Sequence, residues 1–128
     1  MARVHHKVIQ GRSDFFQVLD WLIAKASDLH ANDGPAMDAL WVPLERQLSA
    51  MKRWTDGGRQ PTKDERKSIT AGRILSREFE IAGTPDIQDF VDRFHELIYY
   101  FKHWKSDDDW QAIDDTDWTR NFPDEYAP

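Results

Sequence analysis

Apolar side chains recur every three or four residues from position 14 to position 31, a spacing typical of a helix with one buried face. These positions are Phe15, Leu19, Leu22, Ala26 and Leu29. Ser13 can cap the first turn, where Asp14 suits the positive end of the helix dipole. The run Asn32-Asp33-Gly34-Pro35 then ends this first helix and begins a second.

The second helix has one apolar face and is predicted to end before the loop that Gly57 and Gly58 indicate. The face consists of Met37, Leu40, Trp41, Leu44, Leu48 and Met51. Pro43 lies inside this pattern. Because proline lacks the amide hydrogen that the helix ladder needs, we expect a kink there or a restart of the helix near it.

A capping box opens the third helix, since Thr62 and Glu65 can each bind the other's backbone amide. This helix is predicted to run in one piece from 63 to about 82, where Gly83 ends it. Its apolar side consists of Ala71, Ile74, Leu75, Phe79 and Ala82. Ile69 falls on the opposite, charged side, so we expect it to be exposed.

The fourth helix has the strongest start signal, with Thr84 as cap, Pro85 at the first position and Asp86 in the first turn. It is predicted to end near 104 or 105. Its apolar stripe consists of Ile87, Phe90, Val91, Phe94, Leu97, Ile98 and Phe101. Ser106, followed by three aspartates, predicts a further short helix through 113.

Four amphipathic helices joined by short loops predict an all-α fold, with a four-helix up-down bundle as the expected arrangement. An orthogonal helical array is the alternative, and Pro43 favours it. We divide the chain into a basic extended arm at 1–12, the bundle domain at 13–105 and an acidic, aromatic C-terminal segment at 106–128.

Composition narrows the classes of function. The 128 residues include no cysteine, which excludes disulfides, thiol nucleophiles and cysteine-ligated metals. The net charge of −6 argues against nucleic-acid binding by the chain as a whole. No apolar run approaches the roughly 20 residues of a membrane helix, so we expect a cytoplasmic protein without a membrane partner. No phosphate loop or nucleophile elbow is present, and we expect no cofactor.

The C-terminal segment has the sharpest charge imbalance, because eight acids lie between 105 and 128 against only Lys105 and Arg120. Its aromatic side chains can either fold back onto the bundle or anchor a partner. The candidate partner-binding residues are Trp110, Asp114, Asp115, Asp117 and Trp118. Acids of this kind steer a partner with a basic surface.

Two further sets of side chains are weaker candidates. Arg66, Arg73 and Arg77 share a narrow arc of the third helix and suit an anion, although a solvated face that pairs with acids is the simpler interpretation. The fourth helix has a polar face with metal-ligand side chain types, which we expect to be solvated. Its members are Asp92, His95, Glu96 and His103.

The pattern therefore favours a non-enzymatic protein that binds another protein, in the manner of an inhibitor, immunity protein or adaptor. One alternative is a helical bundle that binds a ligand or a metal ion, with or without enzymatic activity. Another is a structural homo-oligomer, because Trp21, Trp54 and Trp104 lie away from the predicted core.

Overall fold

A computed structural model describes residues 8–79 and 85–113, except for the side chain of residue 79. Within these ranges all regular elements are helical and there is no strand, as predicted. Short 3₁₀ turns at Pro35–Met37 and Asp56–Gly58 join some of the helices. The helices are α1 (Arg12–Asp33), α2 (Asp38–Trp54), α3 (Lys63–Lys67), α4 (Ala71–Phe79), α5 (Pro85–His103) and α6 (Asp107–Gln111).

The start of α1 differs from the prediction, because Gly11 and not Ser13 is the cap residue and no side chain caps the helix locally. Asp107, which lies 95 positions further on, accepts the amide hydrogen of Arg12 through Oδ1 at 2.9 Å. A carboxylate from a distant part of the chain therefore accepts a hydrogen bond at the start of α1, the role that was predicted for Ser13.

Helix α2 runs through Pro43 without a restart, so the kink, the other predicted alternative, stays a prediction. Pro43 lies five residues after the helix begins at Asp38. Proline there removes only the single bond to the carbonyl of Ala39. Two-sided packing against α1 and α4 supports the helix.

The predicted third helix is two helices, α3 and α4, separated by Ser68, Ile69 and Thr70. The capping box of Thr62 and Glu65 is present as predicted. Ile69 is only 4% exposed, which contradicts the expected exposure. The break in the helix turns this side chain away from the charged face of α3 and into the core.

Helix α5 matches its predicted bounds and lies at the centre of the molecule. From Phe90 to Phe101 every residue except Arg93 is buried. It packs against α1, α3 and α4, while α1 and α4 also contact α2. Trp104 then adopts a left-handed conformation with φ of 46°, which ends the helix and turns the chain towards α6.

No helix among the described residues is both long enough and apolar enough to cross a bilayer. The predicted cap at Thr84, the helix end at Gly83 and the parts 1–7 and 114–128 of the two terminal segments lie outside the described residues.

Candidate functional site

The polar face of α5 is buried, which corrects the expectation that it is solvated. Asp92, His95 and Glu96 are 8%, 3% and 1% exposed. Oε2 of Glu96 accepts the amide hydrogens of Val8 and Ile9 at 2.8 and 2.5 Å. The residues that precede α1 therefore supply backbone donors to the Glu96 carboxylate.

The weak metal candidates on α5 have other contacts among the described residues. Glu96 binds the amides of the arm, and Oδ1 of Asp92 accepts from Gln88. His103 packs its ring on Tyr99, with centroids 4.4 Å apart. Among residues 8–79 and 85–113, no group of three or more potential ligands is placed to hold a metal ion.

Helix α6 is fixed to the body of the molecule by Trp110, which is fully buried. Its ring packs edge-on against Tyr100, with centroids 4.8 Å apart, and its Nε1 donates to the carbonyl of Ile9 at 2.5 Å. Gln111 donates to the carbonyl of Gln10 at 2.8 Å. Trp110 is consequently a packing residue here, and its ring offers no surface to a partner.

We call the contact between residues 8–12 and 107–111 the terminal clasp. Besides the bonds of Trp110 and Gln111, it contains the Asp107 bond to the Arg12 amide. The Arg12 guanidinium lies 3.9 Å from the centroid of the Trp104 ring and donates to the Tyr100 hydroxyl at 2.9 Å. Cation–π and charge-assisted contacts thus tie the start of α1 to the chain just before α6.

The acids of α6 have two different environments. All three aspartates are exposed, and Asp107 is the one whose carboxylate bonds to the Arg12 amide in the clasp. The other candidate partner-binding residues, Asp114, Asp115, Asp117 and Trp118, lie outside the described residues.

A second charged feature is a cleft of about 100 Å³ lined by Lys63, Arg66, Lys67 and Lys102. We call it the cationic cleft. It lies where α3 meets the last turn of α5. Within the part of the chain that the structure describes, none of these four cations forms an ion pair with a carboxylate.

Two of the cleft cations are held in place by each other's backbone. Arg66 donates through Nη1 to the carbonyl of Lys102 at 3.2 Å, and Lys102 donates through Nζ to the carbonyl of Arg66 at 3.0 Å. Both carbonyls belong to the last turns of helices, where cations are favourable. Each side chain keeps spare donors, because a guanidinium has five N–H groups and an ammonium three.

Burial and neighbouring cations shift the pKa values of two side chains at the cleft. Burial lowers the pKa of the Lys102 ammonium, and the charge of Arg73 lowers it further. Burial also lowers the pKa of the neighbouring His103 imidazole, and the cations Lys105 and Arg66 act in the same direction. The Nε of Arg66 and the Nε2 of His103 are buried without a hydrogen-bond partner among the described residues.

The predicted arginine stripe is divided by the break between α3 and α4. Arg66 lies on α3 in the cleft, and Arg73 on α4 is close enough to act on Lys102. Arg77 lies on a different surface, beside Met37 and Ile74, and its Nε is 3.8 Å from Glu78. Lys102 was missed as a member of the cationic group, because no sequence spacing connects it with α3.

The three tryptophans that were expected outside the core differ in how far they are buried. Trp104 is 8% exposed and belongs to the core, and Trp54 is partly buried against Phe101. Trp21 remains 39% exposed beside Arg93, whose guanidinium lies 5.6 Å from its ring centroid.

Comparison with known proteins adds no relative from which a role could be transferred. No family model, curated protein or solved structure matches this chain. The candidate sites therefore depend on the contacts and charges described above.

Proposed function

We propose that the chain is a non-enzymatic cytoplasmic protein that binds a partner protein with a basic surface through its acidic C-terminal segment. The observation that carries the proposal is the distribution of charge. Residues 105–128 contain eight acids and two bases, so the remaining 104 residues carry equal numbers of acidic and basic side chains. The whole net charge of −6 is thus concentrated in the last fifth of the chain, where it steers a basic partner.

The position of α6 supports this proposal and changes the role of one residue. With Trp110 buried, α6 is held against the body of the molecule while Asp108 and Asp109 stay exposed. Trp110 then acts as a positioning residue that fixes where the acidic segment leaves the body. Asp114, Asp115, Asp117 and Trp118 remain the proposed contacts beyond it.

An up-down four-helix arrangement is the proposed scaffold for this segment. The pairs α1–α2, α2–α4, α4–α5 and α5–α1 are all in contact, so the four longer helices form a closed ring. Such a ring is what a bundle requires. It would leave α6 at one end, attached to the arm that precedes α1.

The test is capture of a partner from the native cell lysate by the full chain and by two variants. One variant ends at residue 113, which keeps Trp110 and the terminal clasp. The other is Asp108→Asn with Asp109→Asn. We expect the shortened chain to lose capture and the double variant to weaken it. High salt should weaken capture by the full chain and reduce its difference from the double variant, because exposed charges are screened.

The matched control is Asp28→Asn with Asp56→Asn, which removes two exposed carboxylates far from α6 in the sequence. This control should capture the same protein as the full chain. Equal capture by the full chain, the shortened chain and Asp108→Asn/Asp109→Asn would contradict the proposal. A captured protein without a basic surface would contradict it as well.

Self-association is a second candidate, favoured by the exposure of Trp21. Trp21, Val18 and Gln17 line an open groove of about 320 Å³ with Asp89 and Arg93. If two copies pair there, light scattering should show a dimer that persists at high salt, since apolar contacts survive screening. Trp21→Ser should then restore the monomer.

A further inference from the structure

We propose that the cationic cleft holds the indole of Trp118 from the chain's own C-terminal segment, while the acids beside this tryptophan lie along the basic rim. The contact forms in the isolated chain and needs no partner protein. Trp118 is also one of the proposed contacts with the partner, so the cleft and the partner would compete for it. Only this competition rests on the proposed function.

The walls of the cleft are almost entirely apolar, although the four described residues that line it are basic. Long cationic side chains lay their methylene stems along a surface and direct their charged heads elsewhere. Two of the heads are already used, since Arg66 Nη1 donates to the carbonyl of Lys102 and Lys102 Nζ donates to that of Arg66. Such a cleft suits an aromatic ring, which buries apolar area and attracts nearby cations to its face.

The volume of the cleft limits what can enter it. The cleft measures about 100 Å³, whereas a closed apolar cavity of about 150 Å³ takes up benzene. Because the cleft is open to solvent on one side, it can take one ring of an indole and leave the other ring at its mouth. A helix or strand of a partner is too large, so a single projecting side chain is the occupant that fits.

The charge of the segment complements the rim of the cleft. Residues 114–128 contain five acids and one base, and three of these acids lie within four positions before Trp118. On the rim, Lys63 and Lys67 are exposed, and within the described ranges neither forms an ion pair with a carboxylate. The acids would therefore steer the segment to the rim while the ring enters the apolar part.

The segment also leaves the body of the molecule close to the cleft. Trp110 packs on Tyr99 and Tyr100, with ring centroids 5.7 and 4.8 Å apart. Lys102 follows them on the same helix, so it lies within about 5 Å of them along the axis. Trp118 comes five residues after Ile113, which spans up to about 17 Å when extended. The aromatic residues further along the segment have longer tethers, which lower the effective concentration at the cleft.

The experiment places a nitroxide spin label beside Trp118 in the isolated full chain. The chain has no cysteine, so Thr119→Cys provides a single attachment point. We expect the label to broaden the amide resonances of 63–67, which belong to α3 and lie far from the label in sequence. No broadening at 63–67 at an ionic strength of about 0.15 M would overturn the proposal.

The test variant adds Trp118→Ser to the labelled chain, and the matched control adds Phe122→Ser. Both remove one aromatic ring from the segment without changing its charge. Trp118→Ser should abolish most of the broadening at 63–67, because the ring that enters the cleft is missing. Phe122→Ser should leave it unchanged, and an equal loss in the two variants would overturn the assignment to Trp118.

A second pair of variants tests the rim. Lys63→Glu with Lys67→Glu should reduce the broadening, because the rim would then repel the acids. The control, Arg46→Glu with Arg53→Glu, changes the same charge at exposed positions of α2 and should have little effect. An equal reduction in both variants would show a response to net charge alone and would contradict docking at the cleft. Thermal unfolding of each variant shows whether the fold is intact.

Mixing distinguishes docking within one chain from docking between two copies. Spin-labelled chain without ¹⁵N is added to ¹⁵N-labelled chain without the spin label. Broadening at 63–67 in this mixture would place the segment of a second copy in the cleft and would overturn the intramolecular contact. These measurements use the isolated chain, so their failure leaves partner capture from the lysate unaffected, and a failure of capture leaves the docking result unaffected.

Discussion

At the scale of single residues, two polar side chains that are wholly or partly withdrawn from solvent bind groups from other parts of the chain. Glu96 is 1% exposed because the amides of Val8 and Ile9 reach its carboxylate. His30 similarly lies between two carboxylates, with Nε2 2.6 Å from Asp38 and Nδ1 2.5 Å from Glu45. Only the fold brings both acids to this imidazole.

His30 provides a prediction on pH. Two hydrogen bonds raise the pKa of His30 above its ordinary value of 6.5, and the bond to Asp38 contributes more than the bond to Glu45. The folded state therefore holds the proton more tightly than the unfolded state. The resulting stabilisation is fully present below pH 6.5 and is lost as the pH rises through the raised pKa. Replacing His30→Gln should lower Tm most at pH 5.5 and progressively less towards pH 9.

The control for His30 is His103→Gln, for which the slope has the opposite sign. Burial lowers the pKa of His103, so the unfolded state binds the proton more tightly and wild-type stability falls as the pH falls through 6.5. The Tm difference between wild type and His103→Gln should thus shrink on acidification. A difference for His30→Gln that does not change between pH 5.5 and pH 9 would contradict the charged contact with Asp38 and Glu45.

At the scale of elements, the break between α3 and α4 depends on a residue of another helix. Gln47 of α2 accepts the amide hydrogens of Thr70 and Ala71 through Oε1, both at 2.8 Å. Its Nε2 donates to the Thr70 hydroxyl at 3.0 Å. A side chain of α2 therefore caps the first turn of α4 and makes the start of a new helix favourable.

Replacing Gln47→Ala should destabilise the protein by about 1–2 kcal/mol, because two amide hydrogens at the start of α4 lose their acceptor. Urea denaturation measures this change, and hydrogen exchange at Ala71 should become faster. Ser49→Ala, at an exposed position of the same helix, is the control and should change stability by less than about 0.5 kcal/mol. If Gln47→Ala changes the free energy of unfolding no more than Ser49→Ala does, the cap contributes nothing to stability.

At the scale of the whole molecule, the terminal clasp joins two parts of the chain that are about a hundred residues apart. Trp110 bonds to Ile9, Gln111 to Gln10 and Asp107 to Arg12. These contacts cover the polar side of α5 and complete the core around Tyr99 and Tyr100. They also determine where the acidic segment leaves the body, so stability and the proposed binding surface depend on the same tryptophan.

Replacing Trp110→Ala should cost about 3–5 kcal/mol, because a fully buried indole leaves a cavity under α6. Trp110→Phe should cost less, since it retains a ring on Tyr100 and removes the Nε1 bond to Ile9. Chemical denaturation measures both. Trp21→Ala is the control at an exposed tryptophan, and a loss for Trp110→Ala no greater than for Trp21→Ala would show that the clasp is not part of the core.

Local sequence signals were sufficient to predict where several helices begin or end. The capping box at Thr62 and the start signal at Pro85 lie where helices begin, and α5 ends within two residues of its predicted end. The reason is physical: caps, proline positions and apolar spacing act within one or two turns of the chain. The all-helical class follows from the same short-range pattern.

The sequence by itself thus determined the helical class, most helix bounds and the concentration of negative charge in the last 24 residues. Only the tertiary structure decided that Glu96 and Trp110 are buried, that Ile69 turns inward and that Lys102 joins Lys63, Arg66 and Lys67. These outcomes depend on partners many turns away, such as Ile9 for Trp110. Periodicity within one helix shows which side chains share a face, but burial and charge clustering depend on what the rest of the chain places against that face.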